Sequence, residues 1–453
     1  MKKALATILA LVMAIGLCSV SWATESELPA AVNGVIKLTG NATTATLQDD
    51  IIYDLNSHTL TYSGTTHEVA EGKTLTFMDS SVTGNARGGT LELSGVTGTT
   101  AAINPQRGAT LKVSNITVTC TGSAFFPQGD AAKVDVTACD VTAPIYCVGT
   151  NAGSTNNYNV VITLKNSTFV SNTADGDNCA VMINVPGTLN IDNCTITGDR
   201  QAVIVRAGTA VITNSDIKTT GNFTGAATKY HSDAWKSGNE VPAAALTVGN
   251  YQNGPASAYL AEAKVTVTNT KLTAEHGVPA IYTDANDTYK GDLTIGGDST
   301  VVTGEVMKGQ KADKAVVAVT GGTFSRDVSA YAPEGTPVAT VDNDYAVGSS
   351  AISAAANGGK TVIVVKAGPI NGVDAGKSIT VNRGVTGVTV NGVPVTGTSY
   401  TVPSHYYYYP TTDTKANDTK GSPKTFDAGI ALYVGMALTS AAGVAFVGKK
   451  RED

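Results

Sequence analysis

Residues 188–208 read TLNIDNCTITGDRQAVIVRAG. Three short apolar runs lie in this stretch: Leu189 with Ile191, Cys194 with Ile196, and Val203 with Val205. Asn193 separates the first two, Asp199 and Arg200 lead into the third, and Gly208 closes the unit. A second unit starts at once, with Ala210, Ile212, Asn214 and Ile217 in matching places. LKVSNITV (111–118), ITLKNSTF (162–169) and VTVTNTKL (265–272) repeat the first part; LELSGV, VDVTACDV, LTIGGDST and VAVTGGTF are looser copies. With Asn or its stand-in as marker, the units fall at Gly95, Asn115, Ala138, Asn166, Asn193, Asn214, Asn269, Gly297 and Gly321. The spacing is 20 to 28 residues, with one gap of 55. A fixed short period with variable insertions is the mark of a solenoid.

The apolar residues alternate with period two over short runs rich in Val, Ile, Thr and Leu, bounded by Gly, Asn or Asp; these are strands. Three short strands cannot bury an apolar face alone. Wound as a coil, each pairs with its equivalent one turn away, about 4.8 Å along the axis. The expected fold is all-β, a parallel β-helix with Val, Ile and Leu stacked inside. The recurring Asn suits the bend, because it tolerates a left-handed backbone and its amide can bond its equivalent in the next coil.

The chain has 453 residues, 48 of them glycine, with 15% charged and a formal charge of −6. A mildly acidic chain without a Lys/Arg stripe argues against a nucleic-acid partner. There are six cysteines; with Cys18 in the leader, the remaining five cannot form a complete disulfide framework within one chain. Cys139 and Cys194 stand in the slot that holds Ile116 elsewhere, so they read as small buried apolar residues rather than ligands.

Residues 1–23 read as a secretory signal: Lys2 and Lys3, an apolar core over 4–17, and Ser21-Trp22-Ala23 before the cleavage point. Residues 24–345 are the expected solenoid, and 346–402 a small β module or closing coils. One coil carries a large insertion, and its residues 222–242, NFTGAATKYHSDAWKSGNEVP, hold Tyr230 and Trp235. An aromatic-bearing loop on a rigid stack is the best candidate for a recognition surface; Tyr230, Trp235 and Tyr251 are the candidate ligand contacts, since aromatic faces stack on sugars. The bland reading of Trp235 is a lid folded back on its coil. Residues 403–421 are a polar linker. Residues 422–453 contain Pro423 and Thr425, an uncharged apolar stretch over 428–447 and then Lys449, Lys450 and Arg451. Such a stretch is long enough to span a bilayer as a helix, with the basic end cytoplasmic.

The tail resembles the cell-wall sorting signals of Gram-positive bacteria, although Ser422 stands where Leu is usual and Phe426 where Gly is usual. The resemblance implies that a sortase cleaves after Thr425 and joins the chain to peptidoglycan; retention as a membrane anchor is the alternative. The middle resembles the right-handed parallel β-helix of pectate-lyase-like proteins, and the repeat surface proteins of anaerobic Gram-positive gut bacteria. GGTFSRDVSAY (321–331) looks like an element common in the latter. Fold of this kind does not give function.

A lyase of this fold needs acidic residues to hold Ca²⁺ and an Arg or Lys base; a hydrolase needs carboxylates about 5 to 9.5 Å apart. Asp175, Asp177 and Asp199 follow the second strand of successive units, with Arg200 adjacent and Arg206 near. They are the candidate catalytic set, against the reading that DGDN and TGD are ordinary turns. Glu275-His276-Gly277 reads as a loop, and TDANDTYKGD (283–292) as a solvated turn, with weak Ca²⁺ binding by its Asp residues as the alternative. No zinc spacing or phosphate loop is present, so no cofactor or metal is expected. The expectation is an exported, envelope-anchored surface protein, an adhesin or display protein for glycan or host matrix. A carbohydrate-active enzyme is the runner-up, and a passive stalk the third reading.

Overall fold

A computed structural model describes residues 27–150, 159–172, 179–221, 243–249, 261–285, 289–309 and 314–404. The stretch around 188–208 folds as three strands, Gly187–Asp192, Thr195–Gly198 and Gln201–Val205. Each pairs in parallel with its equivalent in the next unit: Leu189 opposite Ala210, Ile196 opposite Ile217, Val203 opposite Leu246. Repetition of this pairing builds three sheets. Among the described residues the first has eleven strands, from Val35–Lys37 to Val317–Val319. The second runs in parallel from Ala42–Thr44 to Gly322–Phe324. The third runs from His67–Val69 to Ser123–Phe125 and from Cys179–Ile183 to Val306–Lys308, and Val148 bridges the two runs by pairing with both Phe125 and Val181. The chain visits the sheets in rotation. The architecture is all-β, largely parallel, repeat-based and consistent with a solenoid-like fold.

The register stacks like on like. In the first sheet Leu111, Val134, Ile162 and Leu189 oppose one another in turn, and all are fully buried. Each such side chain contributes about 1.5–3 kcal/mol on burial. Tyr53 and Phe77 stack at 5.4 Å between ring centres in the early units.

The turn from first to second sheet is where the marker residues act. Asn115, Asn166, Asn193, Asn214 and Asn269 have φ of 50° to 58°, Ala138 has 54° and Gly297 has 88°. The Asn193 amide donates to Asn166 Oδ1 at 2.8 Å, and Asn214 donates to Asp192 Oδ1 at 3.0 Å. The residue after the marker points inward. Where it is Ser or Thr, its hydroxyl accepts from the preceding unit: Cys139 N–H to Ser167 Oγ at 3.0 Å and Cys194 N–H to Ser215 Oγ at 3.0 Å. Cys139 and Cys194 are buried there, as expected, and desolvation pushes both thiols up to about 11. Gly95 is out of phase: LELSGV supplies the second-sheet strand Thr90–Leu93, and the first-sheet strand of that unit is Thr74–Met78. The loop between these two strands hid the period.

After Gly322–Phe324 the sheet turns antiparallel: Phe324 opposes Tyr345, and Val338–Val341 pairs with Asp344–Val347. Antiparallel strands laid on the last parallel one cover its free edge. Val338 and Val347 join the main core, while Ala339, Val341 and Ala346 join a second core. The region 346–402 is not β throughout. Ser349–Asn357 is a helix that buries Ile352 and Ala356, and Gly358 ends it by donating to the Ala354 carbonyl. Its Ala-rich sequence favours helix, but nine residues are too few for a clear 3.6-residue pattern.

Two outcomes follow. Ala in the left-handed region costs about 1–2 kcal/mol, so Ala138→Gly is expected to raise the denaturation free energy by up to about 1 kcal/mol, measured in urea; unchanged or lower stability would count against strain at this turn. The second concerns acid. Burial pushes Asp54 and Asp79 up, but hydrogen bonds outweigh it. Ser80 donates to Asp54 through Oγ and N–H, with Lys37 at 3.1 Å; Ser81, Ser57 and Gly89 donate to Asp79. Both carboxyls lie below the ordinary value of 3.8. A folded pKa below the unfolded one gives stability that is complete above about pH 4 and fades as pH falls through the folded value. The urea midpoint should therefore drop below about pH 4, and Asp79→Asn should flatten that part of the curve.

Candidate functional site

The third sheet differs from the other two. In Ala263–Thr268 of the first sheet, buried and outward residues alternate. In Cys179–Ile183, Gln201–Val205 and Ala244–Val248 of the third, every residue is buried. Val181, Val203, Leu246 and Ile281 point into the main core. Met182, Ile204 and Tyr282 pack outside it in a separate cluster with Phe126, Tyr146 and Ala244. The register places Met182, Ile204, Thr247, Tyr282 and Met307 in one row. A second row, two residues on and so on the same face, runs Asn184, Arg206, Gly249, Asp284, Gly309. Asn184 is 1% exposed, and Arg206 and Asp284 are both at 0%.

This second row carries the chemistry. Asp284 accepts from the Tyr282 hydroxyl at 2.9 Å and from the Ala285 N–H at 2.9 Å. A Cβ at Gly309 would fall 2.1 Å from Asp284 Oδ2, and one at Gly249 would fall 1.9 Å from the Asp284 carbonyl oxygen. Only glycine lets the neighbouring strands approach Asp284 this closely. Asn184 Oδ1 accepts from Thr150 Oγ1 at 2.8 Å. Burying a guanidinium and a carboxylate costs several kcal/mol each unless they are compensated.

The segments 173–178, 222–242 and 250–260 all join the chain at an end of a third-sheet strand: before Cys179–Ile183, before Ala244–Val248 and after Ala244–Val248. The expected contacts Asp175, Asp177, Tyr230, Trp235 and Tyr251 fall in these segments and lie outside the described residues. So do Pro423, Thr425 and the stretch 428–447. Among the described residues no helix is long and apolar enough to cross a membrane. Asp199 and Arg200 are described, in the turn from second to third sheet. Asp199 Oδ1 accepts from Thr220 Oγ1 at 2.9 Å, and the Arg200 carbonyl from Thr219 Oγ1 at 2.8 Å. Both residues therefore serve the joint between successive units.

Thr283, Asp284 and Ala285 are fully buried, which corrects the solvated-turn reading for the start of 283–292; Lys290 is exposed. His276 is an exposed turn residue at φ 54°, as a loop histidine should be. Among the described residues no group of three or more His, Cys, Asp or Glu is placed to hold a metal ion. Cys147 is fully buried and desolvation pushes its thiol up to about 12, which suppresses the thiolate. Asn184, Tyr282 and Asp284 were not singled out as site residues from the sequence. The signal for a doubly buried sheet was the uninterrupted runs CAVMI, QAVIV and AALTV, since a strand without alternation is one buried on both faces. Comparison with family models, curated proteins and solved structures found no match.

The two-faced burial is testable by substitution. Ile204 is at 0% exposure on the outer face of the third sheet, and Val211 at 39% on that of the first. Ile204→Ala should cost about 2–5 kcal/mol, and Val211→Ala within about 0.5 kcal/mol, both by chemical denaturation. Equal small effects would mean the outer face of the third sheet is open to water.

Proposed function

We propose that the chain is an exported surface protein whose three sheets are the faces of a right-handed parallel β-helix, and that it acts as an adhesin or display protein for glycan or host matrix. The fold reading is supported by the rotation of strands through three parallel sheets, and its hand by the right-handedness of about 98% of parallel crossovers. Eleven strands in the first sheet at about 4.8 Å each give a stack of roughly 50 Å. The leader at 1–23 and the tail at 422–453 support export and retention at the cell surface, by sortase linkage through Thr425 or by a membrane helix over 428–447.

One observation carries the binding reading. The long insertions join the chain at the third sheet, the sheet whose outer face is buried and carries Arg206, Asp284 and Tyr282. Tyr230 and Trp235 belong to the segment that precedes Ala244–Val248 in the chain, and Tyr251 to the segment that follows it. The enzyme reading at Asp175, Asp177, Asp199 and Arg200 is weaker, since Asp199 and the Arg200 backbone are used between units.

The test is a glycan and matrix array with the full chain, with and without Ca²⁺, against Trp235→Ala and a deletion of residues 222–242. Selective binding that falls at least tenfold in both variants is the expected result. Binding unchanged by the deletion, or none to any component, would favour the stalk; Ca²⁺-dependent binding of an acidic polysaccharide with release of unsaturated products would establish the enzyme.

A further inference from the structure

At the turn from first to second sheet lies a concavity, on strands other than those of the third sheet. A depression of about 210 Å³ is lined by Asn85, Arg87, Asn166, Ser167, Thr168, Asn193 and Thr195. One wall is the loop between Thr74–Met78 and Thr90–Leu93, which reaches forward over later units. Asn115 Nδ2 donates to the Gly84 and Ala86 carbonyls at 2.7 and 3.0 Å, and Gly88 N–H donates to the Asn115 carbonyl at 2.8 Å. Arg87, at its tip, donates to the carbonyls of Asn166 at 3.0 Å and Cys139 at 3.3 Å. The loop is therefore fixed to three successive units, and the wall is built before any ligand arrives.

The floor is equally rigid. Asn166 and Asn193 are set by left-handed turns at φ 51° and 53°, and their side chains are joined at 2.8 Å. Thr168 and Thr195 oppose each other on adjacent strands, about 4.8 Å apart. Among the described residues, neither threonine hydroxyl is engaged in a hydrogen bond, and the Asn166 Nδ2 donors are open as well.

Charge and size select the occupant. Arg87 pairs with Asp140 Oδ1 at 3.1 Å, so the site holds no net charge for an anion or a cation. The groups left are hydroxyls and carboxamides, which both donate and accept. The volume falls below the roughly 300–1,000 Å³ of sites for drug-sized ligands, leaving room for one ring. We propose that this depression is a subsite for a single neutral sugar residue, held through its hydroxyls by Thr168, Thr195, Asn166 and Asn193. It is independent of the third-sheet face.

The test is ligand-observed saturation-transfer NMR and titration calorimetry on the full-length chain. The probes are the methyl glycosides of glucose, galactose, mannose and N-acetylglucosamine, with sulfate and Ca²⁺ as charged controls. At least one glycoside should bind, with Kd in the millimolar range. The double variant Thr168→Val with Thr195→Val, which keeps shape and β propensity, should weaken it at least tenfold. Asn193→Gly, which suits the left-handed turn, should do the same at some loss of melting temperature, since it gives up the bond to Asn166; the threonine variant should keep the parent melting temperature. Deletion of 222–242 should leave this binding unchanged, which separates it from the third-sheet site. No glycoside binding, binding within twofold of the parent in the threonine variant, or binding of sulfate or Ca²⁺ alone would each overturn the proposal.

Discussion

The fold depends on a backbone bend that ordinary residues resist. Between first- and second-sheet strands the chain must reverse its side-chain phase within two residues, and it does so through one residue in the left-handed region. Asn fills that place at positions 115, 166, 193, 214 and 269. Its short amide tolerates the conformation and then bonds the neighbouring unit, as Asn193 does to Asn166. The hydroxyls that follow at Ser167 and Ser215 satisfy amides of the preceding units. A buried amide left without a partner would cost about 1–3 kcal/mol, so these polar contacts keep the turn compatible with a dry interior.

With the bend repeated, register becomes inevitable. A slip of one residue would carry every inward Val, Ile and Leu to the outside. The stacking of Leu111, Val134, Ile162 and Leu189 is the result, and it leaves outward positions free to vary. The first two sheets use that freedom for Thr, Lys and Asp. The middle of the third does not: its outer row of Met182, Ile204 and Tyr282 is buried, next to the buried side chains of Arg206 and Asp284. A sheet covered on both faces tolerates little change, and this is where the insertions depart.

The two ends of the parallel stack are handled differently. Near the start, Asp54 and Asp79 tie successive turns together through serine and glycine amides. At the far end, the hairpin of Val338–Val341 and Asp344–Val347 shares its two faces between two cores. Period-two alternation makes this possible, because adjacent residues Val338 and Ala339 point opposite ways.

Strand type, repeat length and the left-handed marker were all legible along the chain, because they are local: period two, β-branched composition and a residue that tolerates the bend. The buried cysteines were legible for the same reason, by equivalence with Ile116. The phase of the unit at Gly95 was not, since an insertion between strands erases spacing, and neither was the helix Ser349–Asn357. Of the candidate residues, the sequence marked the insertions and Asp199. It did not separate Arg206 and Asp284, two units apart in one row, from ordinary turn residues. Only the tertiary structure decided that the two share a buried face, because burial depends on pairing between strands distant along the chain, which local pattern does not record.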